Sequence, residues 1–216
     1  QRQMCIRDRV IRVVPAANIV SGLMNGEIDM NMGGIGRIQP VDFDTLKASD
    51  NLVVESIPSY DFQYMAINDK RDYLTDDVRR AMNMAINKQL IVDQLLYGHG
   101  TVMNSVWPES HPYYADLGWD SYNPDEAKKI LEAAGWDSSR ELVMLVPTGN
   151  TVREQSSAII QQNLADVGIK VTVQTSDFAT VMATCFEGNM DLARFLQEVL
   201  ELSLIHISEP TRLDVI

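Results

Sequence analysis

Few residues in this 216-residue chain are of a type that could do chemistry, and their spacing argues against most of it. His99 and His111 stand twelve positions apart, with no Cys or carboxylate at helical ligand spacing beside them, so no metal site is expected. Cys5 and Cys185 are too few for a disulfide framework or a Cys-rich zinc site. Cys185 precedes Phe186 in a helical pattern, which favours a buried, inert thiol. There is no Gly-x-Ser-x-Gly elbow for a nucleophilic serine. Asp76, Asp77, Asp125 and Glu126 are accounted for as helix starts. Gly33, Gly34 and Gly36 lack the Lys-Ser/Thr of a phosphate loop and the Gly-x-Gly-x-x-Gly spacing of a dinucleotide site. They suit a turn where a ligand approaches the backbone closely. With no constellation of acid, base or nucleophile, the chain does not read as an enzyme, and no cofactor is expected.

Composition narrows the class further. The chain carries 18 Lys+Arg against 30 Asp+Glu, a net charge of −12, which is the wrong sign for gripping nucleic-acid phosphate. Its 45% hydrophobic and 22% charged content is that of a folded globular chain. No apolar run approaches the roughly 18 residues of a membrane span.

The elements that must position any site follow from periodicity and punctuation. Ile11–Pro15 reads as a short strand, Ala17–Met24 as a helix ended by Gly26, and Glu27–Met30 as a second strand. A short helix near Asp42–Ser49 precedes two strand candidates, Leu52–Pro58 and Tyr64–Asn68. Thr75 caps a helix whose stripe is Val78, Ala81, Met82, Ala85 and Ile86, and Leu90–Leu96 continues as another. Residues 98–122 form a long loop rich in Gly, Pro and aromatics. Asn123-Pro124-Asp125-Glu126 is the clearest helix start, with Asn as cap and Pro at the first helical position. Leu142–Val146 is a strand apolar enough to be buried on both faces. A helix from Thr151 should bury Ile159, Ile160, Leu164 and Val167. Val171–Thr175 is a strand, Asp177 caps a helix with Val181, Met182 and Phe186 inward, and Asp191–Phe195 is the last strand. Strands alternating with helices predict βαβ units and an α/β fold with a mostly parallel sheet.

A series of motifs in order carries a resemblance. Gly-Glu-Ile-Asp at 26–29, Tyr64-Met65-Ala66-Ile67-Asn68 and the run from Asp76 to Lys88 resemble the family 5 extracellular solute-binding proteins. These are the peptide-binding components of ABC importers. The likeness continues through Tyr122–Trp136, Gln161–Val171 and Asp177-Phe178. It implies a type II periplasmic-binding-protein-like fold, with a mixed, mostly parallel sheet flanked by helices. It also implies a non-enzymatic, monomeric receptor outside the cytoplasm, periplasmic or lipid-anchored. Such a receptor hands peptide to a membrane permease, without nucleic acid. Other cargo in the same fold (nickel chelate, haem or oligosaccharide) and a solute-sensing domain of a transcriptional regulator remain open.

The resemblance also implies binding positions. Gly33 and Gly34 fall in the first-lobe loop that faces ligand, and Tyr64 lies at the crossing strand. Phe178 stands where relatives often carry a Trp wall. Arg194 matches an arginine that some oligopeptide binders set against a ligand carboxylate, a bidentate contact suited to guanidinium. Thr148, Gly149 and Asn150 form a strand-to-helix turn at a sheet edge, where open α/β sheets take ligands. Thr148 and Asn150 are therefore counted as candidates.

Family members are about twice as long and have two lobes. On that template residues 10–62 are expected to be part of the first lobe and 63–195 most of the second. The ends, around Met4–Arg9 and Leu202–Leu213, resemble translated sequencing-adapter read-through, so 1–9 and 196–216 are expected to be largely non-native. The family's next segment starts with Gly-Trp and carries an Asp for a peptide's ammonium group; Leu196-Gln197 stands there instead.

Overall fold

A computed structural model describes residues 13–31, 38–55, 62–103 and 121–197, with 105, 107, 109, 111–116 and 118 between them. The chain divides into two compact units, residues 1–57 and 58–216.

In the first unit, helix α1 (Ala16–Met24) and helix α2 (Phe43–Lys47) supply Ile19, Leu23 and Leu46 to a small core. Val14, Ile28, Ile38, Leu52 and Val54 pack around it. The expected strand at Glu27–Met30 is irregular instead, as are Val13–Pro15 and Leu52–Glu55. The hydrogen bonds give the reason for the first: the backbone N–H groups of Glu27 and Ile28 both donate to the Gly22 carbonyl, at 2.8 and 3.1 Å. They finish α1 rather than join a ladder, and Ile28 serves the core without a strand. Residues 11, 12 and 56–58 of these expected strands lie outside the described residues.

The second unit is built on a four-stranded sheet in the order β1-β4-β2-β3. The strands are β1 (Phe62–Ile67), β2 (Glu141–Pro147), β3 (Lys170–Ser176) and β4 (Leu192–Gln197). β2 runs parallel to β3 and to β4, while β1 pairs antiparallel with β4, so the sheet is mixed and mostly parallel. β4 extends through Leu196 and Gln197, where the family motif departs. Alternation along β2 separates two cores. Leu142, Met144 and Val146 face one layer with helices α3 (Asp76–Ala85), α5 (Pro124–Ala133) and α6 (Thr151–Asp166). Leu145 faces the other layer with Ala193 and with Val181 of α7 (Phe178–Phe186). Helix α4 (Lys88–Leu95) follows α3.

Local chemistry sets each boundary. Thr75, Asn87, Asn123, Asn150 and Asp177 each accept a backbone N–H at a helix start. Such caps contribute roughly 1 kcal/mol apiece where they are shielded from water. Gly168, at φ +89°, ends α6 in a conformation that would strain any L side chain. One expectation fails on α7: Phe186 is 83% exposed rather than inward. Val181 and Cys185, four apart, meet the sheet, and Phe186 is rotated one further step toward solvent. Among the described residues, no helix is long and apolar enough to cross a membrane.

Candidate functional site

The most unusual chemistry in the second unit is two buried guanidiniums. β2 ends at Pro147, and Thr148-Gly149-Asn150 turns the chain into α6. Gly149 makes the turn at φ +94°, and its N–H donates to Glu154 Oε1 at 2.9 Å. Asn150 Oδ1 accepts the Arg153 N–H at 2.9 Å, so that oxygen is committed to capping α6. The turn thereby places Arg153 in the first turn of α6, 9% exposed, with Nη1 donating to the Pro147 carbonyl at 3.3 Å. Arg194 sits in mid-β4, 6% exposed. Its Nη2 donates to Ser156 Oγ at 3.1 Å and to Gln63 Oε1 at 3.3 Å. Ser156 in turn donates to the Arg153 carbonyl at 3.0 Å, which links the two arginines through α6.

Neither cation has an ion-pair partner among the described residues, and the Nε of each has no hydrogen-bond acceptor there. Burial pushes the Arg194 pKa down to about 10, helped by the charge of Arg153. Burial lowers that of Arg153 too, opposed by the nearby charge of Glu154. The N-terminus of α6 adds the positive end of its dipole to the same place. An unpaired buried charge costs several kcal/mol, so this is an environment that favours an anion.

The sheet separates the expected site residues. Arg194 faces the α6 side with Gln63, whereas Tyr64 lies on the opposite face, as strand alternation requires. There the Tyr64 ring is 5.9 Å from Phe195 and 5.6 Å from Phe62, and half-burial raises its pKa. Phe178, on the first turn of α7, is 59% exposed and lies on the same helical face as the 83% exposed Phe186, with the half-buried Met182 between them. Thr148 is exposed, its N–H donating to the Ser176 carbonyl at 2.9 Å. Gly33 and Gly34 lie outside the described residues. Cys185 is half-buried, with Sγ 3.2 Å from Met190 Sδ, and burial raises its thiol pKa. That environment disfavours the nucleophilic thiolate.

Sequence reasoning reached Arg194 through resemblance and passed over Arg153. A signal was present. The apolar stripe Ile160, Leu164 and Val167 continues backwards at helical steps onto Ser156, Ser157 and Arg153, all of them buried. Polar residues carrying on an apolar stripe mark a buried polar site.

The model of the bacterial extracellular solute-binding proteins, family 5, matches residues 7–196. The chain is 27% identical over 199 residues to the oligopeptide-binding protein AppA of Bacillus subtilis (strain 168), covering 83% of this chain and 35% of AppA. The solved structure of that protein in complex with a nonapeptide superposes with a TM-score of 0.69 at 22% identity, over 85% of this chain and 39% of that one. NikA of Brucella suis, in complex with Fe(III)-EDTA, gives a TM-score of 0.75 at 21% identity, over 91% and 43%. These likenesses establish the fold as that of the type II periplasmic binding proteins. The chain spans about a third of the length of the relatives it matches.

Proposed function

The chain belongs to the bacterial extracellular solute-binding proteins, family 5, and from that premise we propose that it is part of a receptor delivering peptides to an ABC permease. The observation that carries the reading is the identity to an oligopeptide-binding protein along 83% of the chain. The second of the matched relatives, from Pseudomonas aeruginosa, is a di/tripeptide-binding protein at 27% identity. On this reading the protein is extracytoplasmic, periplasmic or lipid-anchored, and acts by binding rather than by turnover. Residues 10–62 belong to one lobe and 63–195 to most of the other. Gly33, Gly34, Tyr64, Thr148, Asn150, Phe178 and Arg194 are the positions proposed to meet ligand. Support for the last two is physical: one is an exposed aromatic, the other a buried cation without a carboxylate partner among the described residues.

Titrating the isotope-labelled chain with tri- to pentapeptides and with maltotriose, followed by amide NMR, tests the proposal. The expected result is saturable but weak binding of peptide, because the chain spans about a third of the length of the relatives it matches. A response to the sugar alone overturns the cargo, and submicromolar peptide affinity overturns the two-lobed reading.

A second cargo has specific support. The nickel-binding periplasmic protein of Escherichia coli (strain K12) is 36% identical over 93 residues, 42% of this chain. A metal chelate binding to the same chain in place of peptide would establish that reading.

A further inference from the structure

We propose that the free edge of β1 pairs with β1 of a second copy of this chain, antiparallel and about a two-fold axis, to give a dimer with one continuous sheet. The pairing uses backbone groups alone and so holds whatever solute the protein binds.

The two edges of the sheet differ in kind. β1 and β3 are its outer strands, each with a neighbouring strand on one side only among the described residues. Outer strands of folded proteins usually carry a device against pairing: a charge, a proline, a bulge or a very short length. β3 opens on the exposed Lys170, and its Gln174 and Thr175 are exposed polar residues. β1, Phe-Gln-Tyr-Met-Ala-Ile, holds no charge, no proline and no glycine. Its register against β4 runs unbroken from Phe62↔Gln197 to Ile67↔Leu192, so no bulge turns it away. In a chain of net charge −12, this strand is a stretch on which two copies meet without like charges opposed.

The ladder to β4 shows which backbone groups are free. Just past β1, the Asn68 N–H donates to the Asp191 carbonyl at 2.9 Å, one step beyond the Ile67↔Leu192 pair. Successive residues of an antiparallel ladder alternate in the side to which their backbone groups point, so the even-numbered residues of β1 point at β4. The N–H and C=O groups of Gln63, Met65 and Ile67 therefore point outward, where no strand receives them among the described residues. A two-fold axis must set residues whose side chains share a face opposite one another. Centring it on Met65 meets both conditions. Met65 then faces Met65, Gln63 faces Ile67 in each direction, and every outward group exchanges its bonds with the copy. Between them Tyr64 lies opposite Ala66 on the α7 side, a large ring against a small residue. Because the polar, charged edge of β3 resists pairing, the assembly closes at two copies.

The test is sedimentation equilibrium of the 216-residue chain from low micromolar to millimolar concentration. The expected result is a reversible monomer–dimer equilibrium, which Ala66→Lys, by giving β1 a charge like that of β3, shifts at least tenfold toward monomer. Register is read by cross-linking in a chain carrying Cys5→Ala and Cys185→Ala. Met65→Cys should form a disulfide-linked dimer in air, since facing residues of a hydrogen-bonded pair have Cα atoms about 5.5 Å apart and disulfides span about 4.4–6.8 Å. Gln174→Cys, on the β3 edge, should cross-link far more slowly. The family resemblance implies a monomer, and a monomer throughout the concentration range overturns the proposal. So does growth beyond the dimer, or a dimer that Ala66→Lys leaves intact. Should Ala66→Lys not fold, the two cysteine variants decide, and equal rates of cross-linking overturn the pairing.

Discussion

The Tyr73 hydroxyl donates to Asp191 Oδ1 at 2.5 Å across 118 positions of sequence. Asp191 is 8% exposed and stands just before β4, whose third position, three residues on, is Arg194. Its other oxygen accepts the Val143 N–H of β2 at 2.9 Å, and the Arg71 Nε lies 3.4 Å from Oδ1. Asn68 Nδ2 donates to the Met190 carbonyl at 2.9 Å on the same approach. These bonds hold the entry to the central strand, and through it the height at which Arg194 meets Ser156. Asp191→Asn should destabilise the second unit by about 2–4 kcal/mol, because an amide cannot accept from both donors and loses the ion pair. Tyr73→Phe should cost about 1 kcal/mol. Urea denaturation of the two variants checks both figures, and equal stability of Asp191→Asn and the unmodified chain would discard this account.

Phe178 gives a prediction in which fold and function separate. Because the side chain is 59% exposed, Phe178→Ser should change stability by no more than about 0.5 kcal/mol. Peptide affinity should nevertheless drop if the ring walls the site, as proposed. Thermal melting and the peptide titration read the two effects independently. A large loss of stability would make Phe178 a core residue after all.

Met144 is the opposite case, with no exposed surface and a central place in β2. Met144→Ala should cost about 2–5 kcal/mol through lost burial and the cavity left behind. Met144→Leu, close in volume, should cost less than about 1.5 kcal/mol. Chemical denaturation of the pair gives the comparison.

Acid should loosen α7 from its first turn. Two bonds from Thr180, first its hydroxyl and then its backbone N–H, hold the Asp177 carboxyl below the ordinary carboxylate range. A depressed acid stabilises the fold above its unfolded pKa, about 3.9, and that contribution is lost as pH falls through the lower, folded value. Amide exchange at Thr180 should therefore quicken below about pH 4. Asp177→Asn keeps a capping oxygen without a titrating group, so its exchange should lose this pH step. A step of unchanged size in the variant would assign the transition elsewhere.

Gly149 tests the turn that delivers Arg153. At φ +94° it lies where L residues are strained, so Gly149→Ala should cost about 1 kcal/mol or more although a Cβ would meet open space. Gly22→Ala is the steric counterpart, since its Cβ would approach Ile28 Cδ1 to 2.6 Å. Melting temperatures measure both. A neutral Gly149→Ala would mean that the turn relaxes freely.

Sequence alone determined the α/β class, the second unit's helices with the caps Thr75, Asn123 and Asp177, its strands and the family, but not the caps Asn87 and Asn150. Those signals are local: Asn123-Pro124 starts a helix by its own backbone chemistry, and Leu142–Val146 declares two-sided burial by composition. Strand identity in the first unit was not local. Glu27–Met30 has the composition of a strand, but its N–H groups were claimed by Gly22, and only the fold decides which acceptor is nearer. Phe186 shows the same limit on a helix, because one rotational step separates the sheet from solvent and an apolar residue satisfies either pattern. The arginine pair is the plainest example. Arg153 and Arg194 are 41 positions apart on a helix and a strand, and only Arg194 was marked in the sequence, through the resemblance. The packing of α6 on the face of β4 buries both and leaves their Nε–H groups unmatched among the described residues. A charge becomes buried only when two segments meet, and that meeting is a tertiary fact.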